Sequence, residues 1–128
     1  MRLLLDTHIL LWALFEPERL SERAQHLLQD RETVVHFSAA SIWELAIKTS
    51  IGRANFQATP QQILSAAIAA DFAELPVVAA VALRIDALPW HHRDPFDRLL
   101  LAQAIELRAA FCTVDKVLQN YSDLVELV

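Results

Sequence analysis

Short apolar runs alternate with longer helix-like segments along the chain, and that alternation leaves few architectures open. Arg2 to Leu5, Val34 to Phe37, Ala73 to Pro76, Ala109 to Val114 and Leu124 to Val128 have strand length. Between them lie helical stretches, Thr7 to Phe15, Glu22 to Leu28, a segment from Ser38 and Ser41 to Ile51, one from Pro60 to near Asp71, Val77 to Leu88, and Phe96 to Arg108. A further short helix is expected from Asp115 to Asn120, and Trp90-His91-His92-Arg93 reads as a polar-aromatic loop. Stop and start signals agree with this parsing. Glu16-Pro17 breaks the first helix, Ser21 caps the second, Gly52 fits a C-terminal stop, and Thr59-Pro60 and Asp94-Pro95 are cap and first-turn proline pairs. Strands alternating with helices predict an α/β fold of three layers, with a central, mainly parallel sheet flanked by helices. Strand order is not readable from the pattern.

The 128 residues suit one domain, 1–128, with no internal repeat or boundary. Hydrophobic residues make up 55%, enough for a full core with apolar surface left for a partner. The single cysteine, Cys112, excludes an internal disulfide and reads as a small buried hydrophobe. The N-terminal run is too short for a signal segment, and no apolar stretch approaches the roughly 18 residues of a membrane span. A cytoplasmic protein is expected. The net charge of −5 argues against general attraction to nucleic acid, so basic groups for such a substrate must be gathered locally or come from a second subunit.

Four carboxylates stand out against this frame. Asp6 and Asp115 each follow a buried-strand candidate, at the edge where open parallel sheets bind ligands. Glu44 and Asp97 lie early in helices whose other positions are mostly apolar, where an uncompensated carboxylate is costly. Each has a plain structural reading. Asp6 and Asp115 can cap helices, and Glu44 has Lys48 four residues on. Asp97 has Leu100, Leu101 and Ala104 on its own helical face, whereas Asp94 precedes a first-turn proline and reads as a cap. Together the four make an oxygen-only set suited to Mg²⁺ or Mn²⁺, and a cation would resolve their mutual repulsion. Such a site activates water and clamps phosphate oxygens, which points to phosphodiester hydrolysis.

Thr7, Ser38 and Thr113 adjoin strand ends and can hydrogen-bond a ligand carboxylate or simply cap, the second reading being preferred for Ser38. His8 follows a ligand candidate but reads more simply as a satisfied histidine. His91 and His92 are loop residues near which substrate could pass. Lys48, Arg53, Arg93, Arg98 and Lys116 surround the acidic stretches as phosphate-positioning groups or ordinary solvated charges.

The stretches LLLDTHILLWAL, FSAASIWELAIK, HHRDPFDRLLLAQA and CTVDK resemble those of the PIN-domain ribonucleases, and more narrowly the VapC-type toxins of bacterial toxin–antitoxin pairs. The likeness runs from the first strand to the last helix, and DTHILLW with DPFDR is its most specific part. It implies that Asp6, Glu44, Asp97 and Asp115 bind Mg²⁺ or Mn²⁺ and are catalytic, cutting RNA by a metal-activated water. Between Asp94 and Asp97 the burial argument favours Asp97. It also implies a VapB-like antitoxin, a homodimer, no membrane, and contact with DNA only through the antitoxin. Two other readings remain: a phosphatase or phosphotransfer domain with Asp6 as covalent nucleophile, although position 8 is His rather than a second acid, and a catalytically silent binding module.

Overall fold

The computed structural model describes residues 1–88 and 94–115, together with the backbone of 125–127. Its elements are β1 (Arg2–Leu5), α1 (Thr7–Phe15), α2 (Glu22–Gln29), β2 (Val34–Ser38), α3 (Ala39–Ser50), α4 (Pro60–Ala69), β3 (Ala73–Leu75), α5 (Ala79–Leu83), α6 (Pro95–Leu107), β4 (Ala110–Thr113) and β5 (Val125–Leu127). The five strands form one sheet in the order β3-β2-β1-β4-β5, and every neighbouring pair is parallel. From β1 the chain first winds outward through β2 to β3, then returns to the other side of β1 for β4 and β5. The winding direction therefore reverses between β1 and β4, the position at which such sheets open a crevice beyond their carboxyl ends.

The pleat divides the core in two. Leu3 and Leu5 face a layer containing Ile9 and Leu10 of α1, Ala24 of α2, Leu45 of α3 and Ile63 and Ala67 of α4. Leu4 points the other way, toward Ala40 of α3, Leu100, Leu101 and Ala104 of α6, and Phe111. A side-chain period of two puts both faces of β1 in contact with apolar helices, which is why the run Leu3-Leu4-Leu5 is continuously apolar. Cys112 is buried in the first layer, as expected.

The helix starts follow their caps. Asp6, Ser21, Ser38, Thr59 and Asp94 each accept a hydrogen bond from a first-turn amide. Gly52 has φ +73 just beyond α3, the left-handed conformation that glycine adopts without steric penalty. One expectation fails. The stretch from Val77 to Leu88 is not a single helix. It begins at Ala79, because Val78 stays extended without a side-chain cap bond, and after Leu83 it tightens into a 3₁₀ segment, Arg84–Ala87. The guanidinium of Arg98 donates to the carbonyls of Ile85 and Leu88 at 3.1 and 2.9 Å, partners that favour the tighter turn. The expected 90–93 loop and most of the expected 115–120 helix lie outside the described residues.

Candidate active site

In the parallel register of β1 and β4, Leu5 stands level with Cys112. The next residue of each chain segment, Asp6 and Thr113, therefore emerges at the same point of the crevice. The Asp6 amide continues the ladder by donating to the Cys112 carbonyl at 3.0 Å. Asp6 is only 7% exposed, and both carboxylate oxygens are engaged. Oδ1 accepts from the His8 amide at 3.0 Å, capping α1, and Oδ2 accepts from the Thr113 hydroxyl at 2.7 Å. Burial pushes the Asp6 carboxyl above the usual carboxylate range; the bonds from Thr113 and His8 offset part of this, and the neighbouring Glu44 adds to it.

Glu44 lies in the second turn of α3 and is itself buried. Its Oε1 accepts from the Thr7 hydroxyl at 2.8 Å, and Thr7 Oγ1 stands 3.0 Å from Ser41 Oγ. A hydroxyl has one hydrogen. With that of Thr7 directed to Glu44, Ser41 supplies the second bond. The other glutamate oxygen, Oε2, meets Lys48 Nζ at 3.0 Å. The helix pair expected from sequence is thus formed, and it holds a carboxylate that is also an electrostatic neighbour of Asp6.

Asp115 joins the same network through its backbone. Its amide donates to Thr113 Oγ1 at 3.1 Å, so the hydroxyl that holds Asp6 also fixes the turn carrying Asp115. Asp97 occupies the first turn of α6, half-buried. This helix runs back to β4, so its N-terminus lies at the crevice edge. The Phe96 and Trp43 rings meet edge-on with centroids 5.2 Å apart, tying the start of α6 to α3. Asp94 is the cap of α6, accepting from the amides of Phe96 and Asp97 at 2.9 and 3.3 Å.

The remaining polar candidates divide by role. Ser38 caps α3 through the Ala40 amide and donates to Gln103 at 2.6 Å, the structural reading preferred for it. Thr7 and Thr113 hold the acids directly. His8 is exposed at the crevice rim and Arg53 is exposed on the surface. Arg98 departs from expectation. It is neither solvated nor a surface phosphate contact but 3% exposed, donating to backbone carbonyls, because α6 turns it into the second core layer. His91, His92, Arg93 and Lys116 lie outside the described residues. Ser41 and Gln103 were not anticipated as network members. Gln103 had one visible signal, a polar residue inside the run Leu99 to Ala104.

Among the described residues, no three His, Cys, Asp or Glu side chains already close on a single point. The donor set nevertheless fits a hard divalent cation. It is all oxygen, and a buried carboxyl raised in pKa beside a second carboxylate is the environment that positive charge relieves. Mg²⁺ commonly takes one or two protein carboxylates and completes its shell with water and phosphate. Thr113→Val should test the orienting role. Removing the hydroxyl keeps the side chain's shape but frees Asp6 Oδ2, and loss of a group that orients a ligand typically costs about 10–100-fold in metal affinity or activity. An unchanged metal titration would show that Thr113 only shapes the turn.

No curated protein matches the sequence. Nine chains of solved structures match it. One belongs to the crystal structure of VapBC2 from Rickettsia felis bound to a DNA fragment from their promoter. That chain is 16% identical, with a TM-score of 0.70 over 100% of this chain and 98% of its own length. At that identity the likeness is one of fold. The PIN domain family model matches residues 3–124, a span from β1 to the stretch just before β5 that takes in Asp6, Glu44, Asp97 and Asp115. The chain belongs to the PIN domain family, whose members are generally nucleases that use divalent metal ions.

Proposed function

We propose that the 128 residues form one PIN-like domain that acts as a Mg²⁺- or Mn²⁺-dependent endoribonuclease, the toxin of a toxin–antitoxin pair. The observation that carries this reading is the buried Asp6 carboxyl at the sheet's switch point, with Glu44 beside it. Asp6, Glu44, Asp97 and Asp115 are the residues proposed to hold the ion. When bound, a divalent ion would lower the pKa of a coordinated water and neutralise phosphate oxygens. The chain's own part is positioning. Thr113 and the His8 amide fix the Asp6 oxygens, Thr7, itself bonded to Ser41, fixes Glu44, and Lys48 holds the outer oxygen of Glu44 while its ammonium stays partly exposed. Purified protein should cut single-stranded RNA with Mg²⁺ or Mn²⁺ present and stop in chelator. Equal cleavage in both conditions would sink the metal-dependent reading.

The toxin role draws on the fold neighbour, a chain of VapBC2 bound to promoter DNA. By the same logic this protein is proposed to be cytoplasmic, a homodimer, and bound to an antitoxin through which alone it meets DNA. Among the described residues, no helix is long and apolar enough to cross a membrane. Trp43, Ile51 and Leu83, at 60%, 58% and 75% exposure, supply apolar surface on α3, just beyond its end and on α5 for a second chain. The antitoxin is proposed to lay apolar side chains along α1 and α3 and to bring an Arg or Lys to the carboxylates in place of the metal. Deleting the antitoxin's C-terminal segment should then release cleavage. Tight binding and full inhibition by the truncated antitoxin would show that inhibition does not run through the acidic crevice.

A further inference from the structure

A groove of about 900 Å³ runs along the outer stripe of α1. His8, Leu11, Trp12 and Phe15 line one wall at helical spacing, and Arg19 with the segment Asn55 to Ala58 forms the other. His8, the first α1 residue of the lining, lies two positions after Asp6, whose carboxylate accepts from its amide at 3.0 Å. Its size lies in the range of small-ligand sites. Its chemistry is mixed. Trp12, Phe15 and Phe56 offer aromatic faces, and Asn55 and Gln57 are exposed amides. The Arg19 guanidinium stands 5.5 Å from the Trp12 ring centroid, and the His8 ring meets the same indole edge-on at 6.4 Å.

We propose that this groove is a nucleobase subsite for single-stranded RNA, taking an unstacked base next to the scissile phosphate; the inference rests on the ribonuclease reading above. A base needs a π surface and paired donors and acceptors along its edge, and the groove supplies aromatic rings and primary amides together. The lining charge is nearly balanced, since Arg19 Nε is 3.5 Å from the Glu16 carboxylate. That suits a base better than a run of phosphates. An antitoxin laid along α1 would cover the same rings and amides, so it would exclude the base as well as the ion. The subsite would set which base flanks the cut, while the acids set the chemistry.

The test uses the full chain carrying Asp6→Asn, so that bound RNA survives, with fluorescein-labelled hexaribonucleotides A6, C6, G6 and U6. Added Phe15→Ala should weaken binding on the order of 10-fold, the loss expected for one base–aromatic stack. Added Asn55→Ala and Gln57→Ala should narrow the difference between the four oligomers. In the otherwise native chain, the same amide changes should relax base preference beside the cut while cleavage persists. Phe15 packs partly on its neighbours, so the exposed amide variants keep the test sound if Phe15→Ala folds poorly. Unchanged affinities and an unchanged cleavage pattern in the amide variants would overturn the proposal and leave the ribonuclease reading intact, and would assign the groove to a protein segment. Binding through the groove without any cleavage by the native chain would overturn the ribonuclease reading instead.

Discussion

Asp6→Asn is expected to remove RNA cleavage and, without metal, to raise the melting temperature. The two effects have one origin. The Asp6 carboxyl is buried, its folded pKa lies above the ordinary value of 3.8, and Glu44 stands near it. Below pH 3.8 the carboxyl is protonated in both folded and unfolded chains and costs nothing. As pH rises toward the folded pKa, the unfolded chain releases its proton first, and the folded state loses relative stability until the folded group ionises too. The loss grows with pH up to the folded pKa, so the neutral amide should stabilise more at pH 7 than at pH 4, where it should confer little. The local bonds survive the exchange. Asn caps helices as well as Asp does, and its amide nitrogen can donate to Thr113 Oγ1 while its oxygen accepts from the His8 amide. Cleavage should fall by a factor on the order of 10²–10³ or more, the range seen when a preorganised charge-stabilising group is lost. Mg²⁺ or Mn²⁺ should raise the melting temperature of the native chain by ligand linkage and have a smaller effect on the variant. Thermal scans at pH 7 and pH 4, with and without metal, read all of this. A variant that cleaves fully, or melts lower than its parent at pH 7 without metal, would remove Asp6 from the role given to it.

The same residues show what a sequence can disclose. The apolar run Leu3-Leu4-Leu5 announced a strand buried on both faces, and the caps Asp6, Ser21, Thr59 and Asp94 announced helix starts, because both are local chemistry. Strand order was hidden, since no local signal tells β4 to return to the far side of β1. That return brings Thr113 to Asp6 across 107 positions, so the bond between them could be suspected only as a strand-end coincidence. Arg98 misled because a charged residue beside Asp97 resembles a surface phosphate contact. Its burial depends on carbonyls of the 3₁₀ segment and of Leu88 just after it, which the Ala- and Val-rich stretch gave no reason to expect. The acids were legible as a set by the cost of placing carboxylates on apolar faces. The hydroxyls behind them, Thr7 and Ser41, were less so, because short polar residues cap helices as readily as they orient ligands.

Asp94 and Asp97 provide the sharpest remaining discrimination, since they stand three residues apart at the start of one helix and should respond oppositely. Asp94 spends its carboxylate on the amides of Phe96 and Asp97, a cap for which charge matters little. Asp94→Asn should therefore keep most of the cleavage activity, whereas Asp94→Ala should lower stability by about 0.5–2 kcal/mol, the usual loss for a removed cap. Asp97 is half-buried at the crevice end of α6, where its charge gains from the helix dipole but is not needed for capping. Asp97→Asn changes neither size nor hydrogen-bonding capacity much. It removes the anionic oxygen that a divalent ion would require, so cleavage should drop on the order of 10²–10³-fold with the melting temperature nearly unchanged. Rates for both Asn variants over a range of Mn²⁺ concentrations separate ligand from cap. A weakened ligand set is partly rescued by more metal, and a lost cap is not. If Asp94→Asn is the silent enzyme and Asp97→Asn cuts RNA normally, the cap and the ligand have exchanged places, and the crevice draws its late-helix carboxylate from the residue before Pro95.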